Sequence, residues 1–212
     1  AETIGQQYAA GMPLNLFCHS MGGGIGAAVM EHYPSLFDKA VLSAPMIAPV
    51  VGMPTWIARI ATGALCGLGF GKARVFGHND FSPELNLDEH KGASEARVRW
   101  FHKQRVDDVA CQTNAATFEW AHQAMALSRA ILKPDMCGAI ETPMLLFQAG
   151  RDIWVLNGPQ DDFVERVREG GGSIEKIRYG KSLHEIFSMP NTVVGPYVDK
   201  IVDFYNAPEA AL

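Results

Sequence analysis

The sequence predicts an α/β fold: a partial parallel sheet flanked by helices, with a helical cap inserted between sheet strands. Three stretches carry this prediction. Residues 14–24 (LNLFCHSMGGG) run from an apolar, strand-like segment into a serine and a glycine-rich, helix-like stretch. Residues 143–155 (PMLLFQAGRDIWV) form a second buried-strand pattern that runs into a loop. Residues 173–179 (SIEKIRY) alternate polar and apolar side chains as a strand does, before a loop over 180–186.

In the first stretch the order is strand, tight turn, helix. A serine at the apex of such a turn holds its hydroxyl above the end of a sheet, and the neighbouring backbone N–H groups point where an anion can sit. The usual pattern is G-x-S-x-G; around Ser20 only Gly22 of the two glycines stands, and Cys18 occupies the first position. Cysteine is small enough for the turn but adds a side chain in a crowded place. S-x-G alone marks only a turn. The apolar run before it and the small-residue face after it (Gly23, Gly24, Gly26, Ala27, Ala28) extend the pattern, because they let a helix lie close against a sheet. The segment thus resembles the nucleophile elbow of an α/β-hydrolase.

Between the first and second sheet patterns the character changes. Residues 44–71 are apolar enough to suggest a membrane span, but Pro45, Pro49, Pro54 and Arg59 interrupt them, and a spanning helix needs about 20 predominantly apolar residues. Pro54 is expected instead to open an amphipathic helix through Trp56, Ile57, Ile60 and Leu65, and further helices are expected over 93–103 and 113–132. This divides the chain into a core of residues 1–49 and 136–212 and a cap of residues 50–135.

A nucleophilic triad in this fold follows the chain order serine, acid, histidine. The loop after the strand at 144 offers Asp152, and the loop after the strand at 174 offers His184. Their roles follow from their chemistry. Ser20 attacks an acyl carbon, His184 takes and returns the proton, and Asp152 orients the imidazole and stabilises its cation. The backbone N–H of Met21 is the expected oxyanion donor. Asp161, Asp162, Glu165 and Glu169 lie in an expected amphipathic helix and read as solvated or helix-terminal charges. His19 is expected to point the other way off the turn and to pack. His78, His90, His102 and His122 lack H-x-x-x-H or H-E-x-x-H spacing, so no metal site is expected, and the triad chemistry requires no cofactor.

The residues quoted above, with others, resemble the serine hydrolases of the monoacylglycerol lipase and bacterial lysophospholipase group. That group's elbow reads H-S-M-G-G, as do residues 19–23 here. Tyr33-Pro34 with Phe37-Asp38, residues 42–46 (LSAPM), the acid loop at 150–155, the histidine loop at 184–186 and the closing helix at 201–206 are similar too, and residues 117–120 (TFEW) resemble the start of the cap region. The resemblance implies a single-chain lipid ester, such as a lysophospholipid or a monoacylglycerol, as substrate. One departure stands out: family members carry several strands and a His-Gly oxyanion loop before the elbow, whereas Ser20 comes almost at once here. Residues 1–11 then read as the tail of the helix before the nucleophile strand, and roughly the first third of the family domain is expected to be missing. The nucleophile strand would become an unpaired edge that favours a second chain or a complementing N-terminal segment. The second oxyanion donor would have to come from elsewhere.

Composition fits a globular enzyme. The 212 residues are 48% hydrophobic and 19% charged, enough for one substantial core, and a net charge of −5 with no basic run argues against nucleic-acid binding. Cys18, Cys66, Cys111 and Cys137 show no C-x-x-C or zinc pattern and read as reduced, buried thiols in a cytoplasmic protein, with peripheral contact at the inner membrane as the corresponding expectation for a lipid substrate. Met12, Met46, Met53, Met125 and Met136 are candidates for an adaptable acyl-pocket lining. The same triad also serves peptidases and acyltransferases, and an inactive hydrolase-like fragment that binds a lipid or partner is the alternative outside catalysis.

Overall fold

The computed structural model describes residue 7 and residues 11–77 and 79–208. The helix reading of residues 1–11 falls almost wholly outside them, as does His78. Four strands form one parallel sheet in the order β1 (Asn15–His19), β2 (Lys39–Ser43), β3 (Met144–Ala149) and β4 (Ile174–Tyr179). Helix α1 (Met21–His32) joins β1 to β2. Helices α2 (Thr55–Gly67), α3 (Glu95–Asp107), α4 (Phe118–Ile131) and the short α5 (Pro134–Cys137) lie between β2 and β3 in the chain. Helix α6 (Asn157–Glu169) joins β3 to β4, and α7 (Asn191–Asn206) follows β4.

The two central strands are buried along their whole length, as the near-continuous apolar runs VLS and MLLFQA require of parallel strands covered on both faces. Their side chains alternate between two cores. Ala40, Leu42, Met144 and Leu146 meet Ala27 and Met30 of α1 and Phe163, Val164 and Val167 of α6. Val41, Leu145 and Phe147 meet Tyr197 and Phe204 of α7. Lys39, buried at the start of β2, donates from Nζ to the carbonyls of Phe204 and Tyr205 at 3.0 and 3.1 Å, so a cation caps the C-terminal end of α7.

Strand β1 is different. Among the described residues it pairs on one side only, with β2. Phe17, Val41 and Leu145 stand in register across the sheet, yet Phe17 is 48% exposed while the other two are fully covered.

Several expected boundaries and exposures change. The helix expected over 113–132 begins only at Phe118, where Thr117 Oγ1 accepts the N–H of Trp120 as an N-cap, and Thr117 bridges in an extended conformation to Arg74. The helix expected over 93–103 runs over Glu95–Asp107. Pro54 does precede α2, but that helix buries Ala58 and Thr62 and leaves Trp56 and Ile60 exposed, so its large apolar side chains are not its packing face. Cys111 is exposed rather than buried, because it ends a short surface turn; all four cysteines are free thiols. Asp161 pairs with Lys176 and accepts from Gln148 Nε2 at 2.9 Å, so it is not simply solvated. Among the described residues no helix is long and apolar enough to cross a membrane.

Glu31, near the end of α1, is buried with Oε1 unpartnered. Burial, and after it the Asp135 carboxylate, push its carboxyl from 4.5 up to about 8. The folded state therefore favours the protonated form. This contribution is complete below pH 4.5 and is lost as pH rises through about 8. Thermal unfolding of Glu31→Gln beside the parent should show the variant gaining relative stability from pH 5 to pH 8, by at most about 1.4 kcal/mol per pH unit. Equal pH slopes would show that Glu31 ionises freely in the fold.

Candidate active site

The site lies at the C-terminal ends of β1, β3 and β4. At the end of β1 the chain turns sharply at Ser20, which takes φ 53 and ψ −122. Positive φ is costly for a residue with a Cβ, and three backbone bonds hold it. Ser20 N–H donates to Ser43 O at 3.1 Å, and Ser20 O accepts from Met46 N–H at 2.7 Å and Gly23 N–H at 2.9 Å. The glycines behind the turn permit this closeness. A Cβ on Gly23 would lie 2.4 Å from Pro45 Cβ, and one on Gly24 would lie 2.5 Å from Met46 O. Gly22, the glycine of the S-x-G pattern, has open space around it. The steric demand thus falls on the two glycines after the motif.

Cys18 fits because of a glycine opposite it. Its Sγ would lie 2.8 Å from a Cβ on Gly26, so the thiol occupies the space that a side chain on α1 would need.

The acid and histidine loops are joined backbone to backbone. A Cβ on Gly150 would lie 2.3 Å from Gly180 O, while Gly150 N–H donates to Tyr179 O and Arg151 N–H to Ser182 O, each at 2.9 Å. This seam brings Asp152 to His184. Ser20 Oγ lies 2.8 Å from His184 Nε2, and His184 Nδ1 lies 2.6 Å from Asp152 Oδ2. With Nδ1–H donating to the carboxylate, Nε2 is left to accept the Ser20 hydroxyl proton. The other carboxylate oxygen, Oδ1, accepts from Trp154 N–H at 2.9 Å and Val155 N–H at 3.0 Å. The Asp152 side chain is fully buried and that of His184 nearly so. Such burial is tolerable for a carboxylate whose oxygens are all engaged.

Met21 begins α1, where the first N–H groups of a helix have no partner within the helix. Its side chain, with Met46, Val50, Trp120 and Trp154, lines a cavity of about 740 Å³ that opens on Ser20 and His184. Of the methionines expected to line an acyl pocket, Met46 does so. Met125 is buried in the interior, Met136 is half-buried away from the cavity, and Met12 and Met53 are exposed.

His19 does not turn away from the site. Its ring stands 4.8 Å from that of His184 and 5.1 Å from Phe187, and its Nδ1–H donates to Ser43 O at 3.1 Å. The same carbonyl holds Ser20 N–H, so His19 is drawn to the elbow by the bond that shapes it. Burial, and next the His184 imidazole, push His19 below the ordinary histidine range. Among the described residues His19, His184 and Glu185 bring ligand-type atoms within 4.8 Å of one another. Both His184 ring nitrogens are already bonded to Ser20 and Asp152, which leaves a poor donor set for a metal.

The model of a protein family described as serine aminopeptidase, S33, matches residues 1–191. Over 205 residues the chain is 27% identical to lysophospholipase L2 of Escherichia coli (strain K12), which covers 90% of this chain and 57% of that protein. The chain therefore spans little more than half the length of that relative. Among solved structures it is similar to Paleococcus ferrophilus monoacylglycerol lipase, with a TM-score of 0.65 at 19% identity over 96% of this chain and 71% of that one. It is similar also to a thermostable carboxyl esterase from Bacillus coagulans, with a TM-score of 0.71 at 13% identity over 97% and 68%.

The Cys18 and Gly26 contact generates a double-mutant test. Gly26→Ala should destabilise the fold by about 1–3 kcal/mol through overpacking, and Cys18→Gly should recover most of that loss in the same background. Additive effects in denaturant unfolding would show that the two residues do not share the space.

Proposed function

We propose, for a chain that belongs to the serine aminopeptidase S33 family, the hydrolysis of carboxylic esters through an acyl-serine intermediate on Ser20. The observation that carries this reading is the unbroken hydrogen-bonded run from Ser20 Oγ through His184 to Asp152 at the mouth of an apolar cavity. In the first half-reaction Ser20 Oγ attacks the ester carbonyl carbon as its proton passes to His184 Nε2. The Met21 N–H, at the positive end of α1, faces the oxygen that becomes negative. Collapse of the tetrahedral adduct expels the alcohol, which takes the proton back from His184. Water then repeats the sequence on the acyl-serine. Asp152 keeps Nδ1 protonated and stabilises the imidazolium.

A single-chain lipid ester is the proposed substrate class. The names of the similar proteins, lysophospholipase L2 and monoacylglycerol lipase, support it, as does a cavity whose methionine and tryptophan lining suits an acyl chain. We read residues 50–135 as the cap over a core of 1–49 and 136–212, since residues 113–117, just before α4, contribute to the cavity wall beside Ser20. Free thiols at all four cysteines support a reducing cytoplasm, and the exposed Trp56 and Ile60 on α2 support peripheral contact with the inner membrane. Among the described residues β1 pairs on one side only and Phe17 is half exposed, which supports pairing of that edge with a second copy of the chain or with a complementing N-terminal segment.

Short and long acyl p-nitrophenyl esters, assayed with the oligomeric state recorded on the same samples, test this reading. Turnover should vanish in Ser20→Ala, and Asp152→Asn should lower kcat by about 10⁴ while the fold is kept. Faster release from long acyl chains, and from an aryl ester over the matching aryl amide, would separate lipid-ester hydrolysis from short-chain esterase and peptidase action. Turnover independent of Ser20, or folded protein that neither turns over nor reacts with a fluorophosphonate, would overturn the proposal.

A further inference from the structure

His19 is a titratable, half-buried side chain beside the triad that the acyl-transfer steps do not use. Two side chains of the histidine loop pack against its ring. The His184 ring stands 4.8 Å away, inclined at 49°, and the Phe187 ring meets it edge-on at 5.1 Å and 76°. Phe187 lies in the 3₁₀ turn Ile186–Ser188 that follows the base. The position of the His19 ring is set from the sheet, by the bond from Nδ1–H to Ser43 O at 3.1 Å. One residue of β1 thus joins the strand that ends at Ser20 to the loop that carries its base.

His184 has a freedom that its own hydrogen bonds do not remove. Its ring is held at two atoms, Nδ1 on Asp152 Oδ2 at 2.6 Å and Nε2 on Ser20 Oγ at 2.8 Å, and can tilt about the line between them. Tilting turns the N–H and the lone pair out of line, and hydrogen bonds weaken steeply as they bend. The bond to Ser20 is also broken and remade in every turnover, as the proton passes to His184 and on to the leaving group. At that moment Asp152 is the only hydrogen-bond partner fixing the imidazole. A packed ring restricts the tilt throughout the cycle, because it shares neither the proton nor the substrate. At these separations aromatic rings attract one another in tilted and edge-on arrangements. Charge suits the place as well. Burial, and next His184, hold His19 below the ordinary histidine range against the opposing pull of Glu185, the Ser43 bond and Asp152. An uncharged ring can lie against the imidazolium that forms in the reaction without repelling it.

We propose that His19 is a positioning residue for His184: its ring, anchored on Ser43 O and packed on Phe187, holds the base imidazole in the plane that proton transfer requires. The inference rests on the ester-hydrolase reading for its effect on turnover, whereas its effect on the imidazole needs no substrate. Two substitutions separate the ring from its anchor. Asparagine places an amide N–H near the position of Nδ1–H but has no ring, and phenylalanine keeps a ring but donates nothing.

Turnover of a p-nitrophenyl ester and proton NMR of the resting protein test this together. His19→Asn should lower kcat by about two- to tenfold, the worth of an aromatic pair expressed as a rate. KM should stay within about twofold of the parent, since an interaction that acts through the base is not one of substrate binding. His19→Phe should recover most of the lost kcat. In the spectrum the His184 Nδ1–H, bonded to a buried carboxylate, resonates far downfield and is assigned by its loss in His184→Asn. It should broaden and exchange faster with water in His19→Asn and stay sharp in His19→Phe. If His19→Asn does not fold, Phe187→Ala decides, because it leaves the Ser43 bond in place: broadening of the same signal supports the proposal and a sharp signal overturns it. A parent-like kcat with a sharp signal in His19→Asn would overturn it. So would a rise in KM at constant kcat, since His19 also lines the cavity beside Ser20 and would then be a substrate contact. An equal loss in His19→Phe would overturn it too, by making the Ser43 bond and not the ring the working part. Absence of Ser20-dependent turnover in the parent would instead defeat the ester-hydrolase reading, and the NMR signal would then decide the positioning role alone.

Discussion

The Ser43 carbonyl, at the end of β2, accepts Ser20 N–H and His19 Nδ1–H together, and the shape of the site depends on that junction. It ties the end of β1 to the end of β2 where the chain must reverse into α1. Ser20 and Ala44 both take positive φ there, at 53° and 43°. Backbone strain of this kind costs on the order of 1–3 kcal/mol per residue and persists only where the surroundings over-determine it. The surroundings here are two fully buried strands and a helix whose glycines leave no room to relax.

The same logic operates on the other side of the sheet. Parallel strands send all their C-terminal ends to one edge, so the loops after β3 and β4 arrive next to the elbow without special arrangement. Their relative height is set by the contact of Gly150 on Gly180, which no side chain could occupy. A buried carboxylate with both oxygens bonded then fixes the imidazole. The chain segment holding α2 to α4 also leaves from this edge, after β2, which explains why residues 113–117 come to wall the cavity rather than to continue the helix that follows them.

Against this, the outer face of β1 is lightly built. Leu16 and Cys18 pack toward α1, while Phe17 lies half in solvent although its neighbours in register are covered. The serine therefore stands at the end of the least buried of the three strands β1, β2 and β3, and among the described residues β1 pairs with β2 alone. Tyr205 adds a tether from α7, its hydroxyl donating to Leu16 O at 2.7 Å.

Local pattern is enough to read three of the four strands, the turn at Ser20 and the candidates Asp152 and His184, which the fold brings within hydrogen-bonding reach of one another, because strand ends and turns are written in short runs of apolar residues and glycine; β2 (Lys39–Ser43) is signalled only by the resemblance of residues 42–46. Such pattern is not enough for what depends on approach between distant segments. Gly23, Gly24 and Gly26 are legible as a small-residue face for close packing, but that Gly23 meets Pro45, Gly24 meets Met46 and Gly26 makes space for Cys18, with Gly22 left open, is decided only when the facing segments are in place. The turn at Ser20 by itself directs His19 away from the site, and only the Ser43 carbonyl on the next strand captures its ring beside His184. Arg105 and Arg151, 46 positions apart in the numbering, line one cavity only because the fold brings their segments together. The sequence by itself determined which elements form and which chemistry the triad residues can do, since both follow from local composition. The tertiary structure alone decided which backbones touch, which charges go unpaired and what faces His184 on either side, since those follow from contacts between segments that no local pattern encodes.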